Sequence, residues 1–195
     1  MLKPHLVVTA LALLSCRGPE EPTAAGAPVV AESTEMDPLG RAFSAARSGD
    51  AAALEPLLAS GLPIDAKNAR GDTLLMLSAY YSRAEAVALL LERGAEPDLL
   101  SDSGLSALMG AAFRDDATIA AMLLDGGAGV DARSPSGVTA LMLAAEYGSP
   151  ATAELLLSRG AAPAATDSTG RTPLSIATLS GNADLIRMLE IASRP

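Results

Sequence analysis

Few side chains in this sequence could do chemistry, and their types and spacing limit what that chemistry could be. The single histidine, His5, and the single cysteine, Cys16, both stand close to the N-terminus. Beyond them the chain offers no imidazole and no thiol. Serines and carboxylates remain, but they form no nucleophile–base or matched-acid constellation. Met76, Met109 and Met142 recur every 33 residues, and thioether sulfur is a soft-metal ligand. Packed helices carrying them would sit about 8–10 Å apart, too far for one ion to bridge, so core filling is the expected role. Asp115 and Asp116 are adjacent acids, yet Asp116 suits a helix N-cap and Asp115 reads as neighbouring surface. The run DGGAGV, residues 125–130, is glycine-rich, but no P-loop lysine and serine follow it. Asp65, Asp98 and Asp131 share the 33-residue spacing. No catalytic residue, metal site or cofactor is expected, and the chain is read as a non-enzyme.

The same spacing organises the elements that hold these residues. Gly71, Gly104, Gly137 and Gly170 recur every 33 residues, as do Thr73, Ser106, Thr139 and Thr172, and Leu75, Leu108, Leu141 and Leu174. A second glycine series, Gly61, Gly94, Gly127 and Gly160, keeps the register. A fixed period of this size implies stacked supersecondary units. The first glycines suit a tight turn with positive φ. The Thr/Ser series supplies N-caps for a first helix, with Pro173 at a first helical position. Asp50, Asp116, Ser149 and Asn182 are expected to cap a second helix, with Pro150 again first in line. Leucine pairs at 57–58, 90–91, 123–124 and 156–157 close that helix on its buried side, and the second glycines end it. Pro56 falls inside the second helix of the first unit, where a bend or a late start is expected.

Composition agrees with a helical stack. The chain has 195 residues, 49% hydrophobic but only 3% aromatic, so leucine and alanine must fill the core. The formal charge of -9 repels phosphate backbones and makes nucleic acid an unsuitable partner.

Residues 1–15, MLKPHLVVTALALLS, have a basic start and a short apolar run, the layout of a secretory signal. The end of that run, Leu13-Leu14-Ser15-Cys16, resembles the lipobox of bacterial lipoproteins. An ordinary cleaved signal with an incidental cysteine is the alternative. The lipobox resemblance implies diacylation of Cys16 on sulfur, cleavage before it and acylation on nitrogen. The lipid would be the only membrane contact, and Arg17 in place of an aspartate favours the outer membrane over the inner, on the periplasmic side. Residues 16–36 are rich in Pro, Ala, Gly and Glu and read as the lipidated cysteine with a flexible linker.

Two short antiparallel helices with a projecting turn, repeated every 33 residues, resemble the ankyrin repeat. GDTLLMLSA, GLSALMGAA, GVTALMLAA and GRTPLSIAT are similar to that family's G-x-T-P-L-H-x-A-A phrase, and LLERGAEPD, LLDGGAGVD and LLSRGAAPA to its L-L-x-x-G-A-D-x-N phrase. The resemblance implies an all-α solenoid over residues 37–195, in units near 37–67, 68–100, 101–133, 134–166 and 167–195. It also implies that Asp65, Asp98 and Asp131 are turn residues that bond backbone. The first unit lacks the glycine turn and would cap the stack; the fifth stops after its second helix. The family histidine is replaced by Met76, Met109, Met142 and Ser175, so backbone bonds and packing must hold the turn.

The family binds other proteins through the end of the first helix and the turn tip, on its concave face. Carried onto this sequence, that stripe is Arg47, Tyr80, Tyr81, Phe113, Arg114, Glu146, Tyr147 and Leu179. The rim is Arg70, Asp72, Asp102, Leu105, Val138 and Arg171. Tyr80 and Phe113 are in phase, as are Tyr81, Arg114 and Tyr147, so four of the five aromatic residues fall on one stripe. Tyrosine and arginine are frequent binding hot spots. The competing explanation is that the rings only cover the gap between helices and turns. The resemblance thus implies a monomeric, non-catalytic module that binds a protein partner from a lipid-anchored position. An inhibitor or immunity protein that neutralises a toxin or enzyme is the second reading.

Overall fold

The computed structural model describes residues 37–194, and the expectations placed on residues 1–36, Cys16 among them, lie outside the described residues. Ten α-helices follow one another among the described residues, in five antiparallel pairs. The inner helices are α1 (Pro38–Ser48), α3 (Leu74–Tyr80), α5 (Ala107–Arg114), α7 (Ala140–Tyr147) and α9 (Pro173–Ser180). The outer helices are α2 (Ala51–Ala59), α4 (Ala84–Glu92), α6 (Ala117–Asp125), α8 (Pro150–Ser158) and α10 (Ala183–Ala192). Each inner helix packs on the outer helix of its own unit and on the inner helices of adjacent units. No β-strand forms among the described residues; one isolated antiparallel bridge joins Lys67 and Thr73. This is the all-α repeat stack expected from the period.

Local chemistry starts and stops the helices where the spacing placed the ends. The hydroxyls of Thr73, Ser106, Thr139 and Thr172 accept the backbone N–H three residues on, at 3.2, 3.3, 3.3 and 3.2 Å. Each bond satisfies one of the orphan donors of a helix N-terminus. Asp50, Asp116 and Asn182 cap α2, α6 and α10 in the same way. Ser149 does not: it makes no side-chain cap bond to α8. Its place is taken from the preceding unit, where Asp115 Oδ1 accepts the Thr152 N–H at 2.9 Å. Asp115 is therefore a cap across units and not idle surface. Pro56 neither delays nor splits α2, which begins at Ala51 directly after its cap.

The core is leucine and alanine, with Phe43 and the methionines filling one row. Met76, Met109 and Met142 are buried, and Phe43 occupies the same position one period earlier. The fifth aromatic is thus core. Of each leucine pair only the first is fully inside: Leu90, Leu123 and Leu156 are 0% exposed, and burying such a side chain stabilises the fold by roughly 2 kcal/mol. The second leucine of each pair is partly exposed. In unit five the pattern turns polar where no further unit covers it among the described residues. Ser175 replaces the methionine, Thr178 the alanines 79, 112 and 145, and Glu190 the second leucine, and all three are exposed. Stacked repeats need such a polar outer face at an open end.

The projecting turns show how the missing histidine is replaced. Asn68, Ser101, Ser134 and Asp167 form a further 33-residue series. The backbone N–H of each donates to the carbonyl four residues on, and the side chain of each accepts the N–H of that same residue. Ser175 adds its own contribution, accepting the Thr172 N–H at 2.9 Å. Asp65, Asp98 and Asp131 bond backbone, and the backbone is that of the following unit: they accept the N–H of Glu96, Gly129 and Ala162. The turn glycines lie at φ 73°, 78°, 78° and 81°, as the turn requires. At Gly71 close approach adds a second reason, since a Cβ there would meet the Asp102 backbone nitrogen at 2.5 Å.

Candidate functional site

The ends of the inner helices bring four rings into one ladder. Tyr80 and Tyr81 meet edge to face at 5.2 Å, within the last turn of α3 and its C-cap. Tyr80 stacks on Phe113 of the next unit, with centroids 5.6 Å apart and planes 13° from parallel. Phe113 meets Tyr147 of the unit after that at 4.6 Å and 73°. The Arg114 guanidinium lies 5.9 Å from the Tyr80 centroid, within cation–π range. The period makes this possible: identical helix ends recur at the spacing of stacked units, and aromatic pairs prefer these offset and edge contacts. All four rings are half-buried, so each keeps a solvent-facing edge, and Arg114 is exposed.

The flanking stripe residues differ in what they offer. Arg47 is half-buried, and its Nε donates to the Phe43 carbonyl. Glu146 precedes Tyr147, and burial first, then the charges of Glu146 and Tyr80, push the Tyr147 phenol up to about 12. Leu179 is 55% exposed and continues the in-phase series of Tyr80, Phe113 and Glu146.

The rim separates into available and committed residues. Asp102 is exposed. Leu105 and Val138 are half-buried and pack on the core. Arg70 pairs with Asp72 at 3.1 Å, and Asp72 is 8% exposed and also accepts from Asn68. Asp72 therefore serves the inside of its turn, which corrects its placement on the rim. Arg171 likewise pairs with Asp167 at 2.7 Å. Burial opposes ionisation of Asp167, but bonds from Thr169 and Arg171 outweigh it and hold the carboxyl well below the usual carboxylate range.

One residue beside the ladder escaped the sequence reading. Arg83 stands at the second-helix cap position, where other units carry Asp50, Asp116, Ser149 and Asn182. It makes no side-chain cap bond, and its Nε donates to the Arg47 carbonyl at 2.8 Å. A non-capping residue in a capping series was the signal available. The backbone just before the cap position is also unusual here. Gly49, Gly148 and Gly181 end their helices with positive φ, but Ser82 and Asp115 adopt φ 56° and 53° as non-glycine residues. Both adjoin ladder residues, Tyr81 and Arg114.

The methionine row is internal packing, and among the described residues no group of three or more His, Cys, Asp or Glu is placed to hold a metal ion. No helix among the described residues is long and apolar enough to cross a membrane.

Comparison with known proteins agrees with this architecture. Residues 42–134 and 108–192 each match the family model for ankyrin repeats in three copies. A protein of Pseudomonas aeruginosa described as an ankyrin repeat protein is 47% identical over 47 residues, which is 24% of this chain and 28% of that protein. The chain thus matches well under a third of the length of that relative. Ankyrin repeats generally mediate protein–protein interaction, and the family is typically non-catalytic. With the repeat match running from residue 42 to residue 192, across most of its length, this chain belongs to the ankyrin-repeat family.

Proposed function

We propose that the chain is a non-catalytic adaptor that binds a protein partner on the ladder of Tyr80, Tyr81, Phe113 and Tyr147. Arg47, Arg114, Glu146 and Leu179 flank that surface, and Arg70, Asp102, Leu105, Val138 and Arg171 form its rim. The observation that carries the reading is the continuity of the ladder. Four rings from three units touch in sequence and still reach solvent. Rings needed only to cover a gap would not have to present a joined, half-exposed surface, whereas rigid aromatic clusters with arginine supply binding energy at low entropic cost.

The proposal places the module as a monomer on the periplasmic side of the bacterial envelope. It would be tethered through residues 16–36 and lipid on Cys16, with the outer membrane favoured. Two or more acyl chains would anchor it stably and raise its effective concentration for partners on the same membrane.

Crosslinking in envelope extract, followed by identification of the captured protein, tests the binding role. Tyr80→Ala with Phe113→Ala is expected to abolish the capture. Retention of every captured protein by that double variant would refute the ladder as the binding surface. Cys16→Ser is expected to move the protein to the soluble fraction, and unchanged membrane association would refute the lipid anchor.

A further inference from the structure

We propose that the partner segment held on the ladder is acidic, with its carboxylates meeting Arg47, Arg83 and Arg114 while an apolar or aromatic side chain lies on the rings. The inference rests on the ladder being a binding surface and concerns what that surface selects.

Net charge alone points the other way. A chain of -9 would be expected to attract basic partners. Locally, however, the arginines differ in whether a carboxylate holds them. Arg70, Arg93, Arg159 and Arg171 are each in an ion pair. Arg47, Arg83 and Arg114 have no carboxylate partner among the described residues. They contact the Phe43 carbonyl, the Arg47 carbonyl and the Tyr80 ring face in turn. All three stand within one unit of Tyr80: Arg47 is one period before it, Arg83 follows it by three residues and bonds the Arg47 carbonyl, and Arg114 lies over its ring.

The nearby aspartates form no ion pair with them. Asp50 Oδ1 accepts the Ala53 N–H at 2.9 Å, Asp116 Oδ1 the Ile119 N–H at 3.0 Å and Asp115 Oδ1 the Thr152 N–H at 2.9 Å. Each carboxylate is thus directed into a helix N-terminus, where the orphan donors and helix dipole already favour it. Glu146 stands on the ladder itself, in phase with Tyr80 and Phe113, and its charge acts on the Tyr147 phenol. Arg83 makes the local preference clearest, because it stands where a capping side chain would serve the helix and donates to the carbonyl of the stripe residue Arg47 instead. Guanidinium groups bind carboxylates through charge-assisted and often bidentate bonds, and a flanking ring face adds to the fit.

Selection from a random twelve-residue peptide display library on the full chain tests this. Enriched peptides are expected to be rich in Asp and Glu and poor in Lys and Arg. A representative peptide is expected to bind at least tenfold more weakly to the Arg47→Gln/Arg114→Gln variant, and also to Tyr80→Ala/Phe113→Ala. Thermal melts of both variants check that they fold. Enrichment of basic peptides would overturn the proposal. Weakening by the ring changes with none by the arginine changes would also overturn it, while leaving the ladder as a binding surface. Enrichment insensitive to both variants, or no enrichment at all, would count against the ladder itself.

Discussion

Asp115 of the third unit caps a helix of the fourth: its Oδ1 accepts the Thr152 N–H at 2.9 Å, while Ser149, the residue at the cap position of that helix, makes no side-chain cap bond. Asp115 reaches this donor because it follows α5 in the left-handed conformation, at φ 53°. Neighbouring units are thereby joined by a polar bond in addition to apolar packing.

Asp115→Ala is therefore expected to destabilise the fold by about 1 kcal/mol, the usual worth of an N-cap. Ser149→Ala should cost clearly less. Paired urea unfolding curves check this, and equal losses would show that the cap lies with Ser149 after all.

Asp167 should make stability depend on pH in the acid range. Its folded pKa is depressed by bonds from Thr169 and Arg171, despite the opposing effect of burial. A depressed carboxyl contributes stability that is fully present above the unfolded value of 3.8 and is lost as pH falls through the folded value. Asp167→Asn keeps an oxygen for the Thr169 and Arg171 N–H groups but loses the ion pair with Arg171. It should lower stability on the order of 2 kcal/mol at neutral pH. It should also flatten the stability decline below about pH 4 relative to the parent. Unfolding measured at pH 7 and pH 3 for both proteins checks the size and the sign.

Two glycines with similar backbone angles should respond differently to alanine. Gly61 has φ 95° and open space around an added Cβ. Gly61→Ala should cost about 1 kcal/mol from the left-handed backbone alone. Gly71 has φ 73°, and its added Cβ would meet the Asp102 backbone nitrogen at 2.5 Å. Gly71→Ala should cost more than about 2 kcal/mol, because strain and a clash between adjacent turns add. Denaturant midpoints of the two variants decide this; equal costs would remove the close approach of the turns as a structural constraint.

What could be read without coordinates was local and periodic. The Thr73, Ser106, Thr139 and Thr172 caps, the positive-φ glycines and the leucine core repeat because every unit meets the same backbone demands within a few residues of chain. The aromatic phase was legible for the same reason, since Tyr80 and Phe113 are one period apart. Tertiary structure decided what depends on the neighbouring unit. It turned Asp65, Asp98 and Asp131 toward backbone in the following unit, buried Asp72, gave α8 its cap from Asp115, and set Arg83 against Arg47. It also made the rings touch. A period specifies which residues recur at equivalent places, but contact depends on the offset and rotation between stacked units, and that geometry arises only when their apolar faces pack.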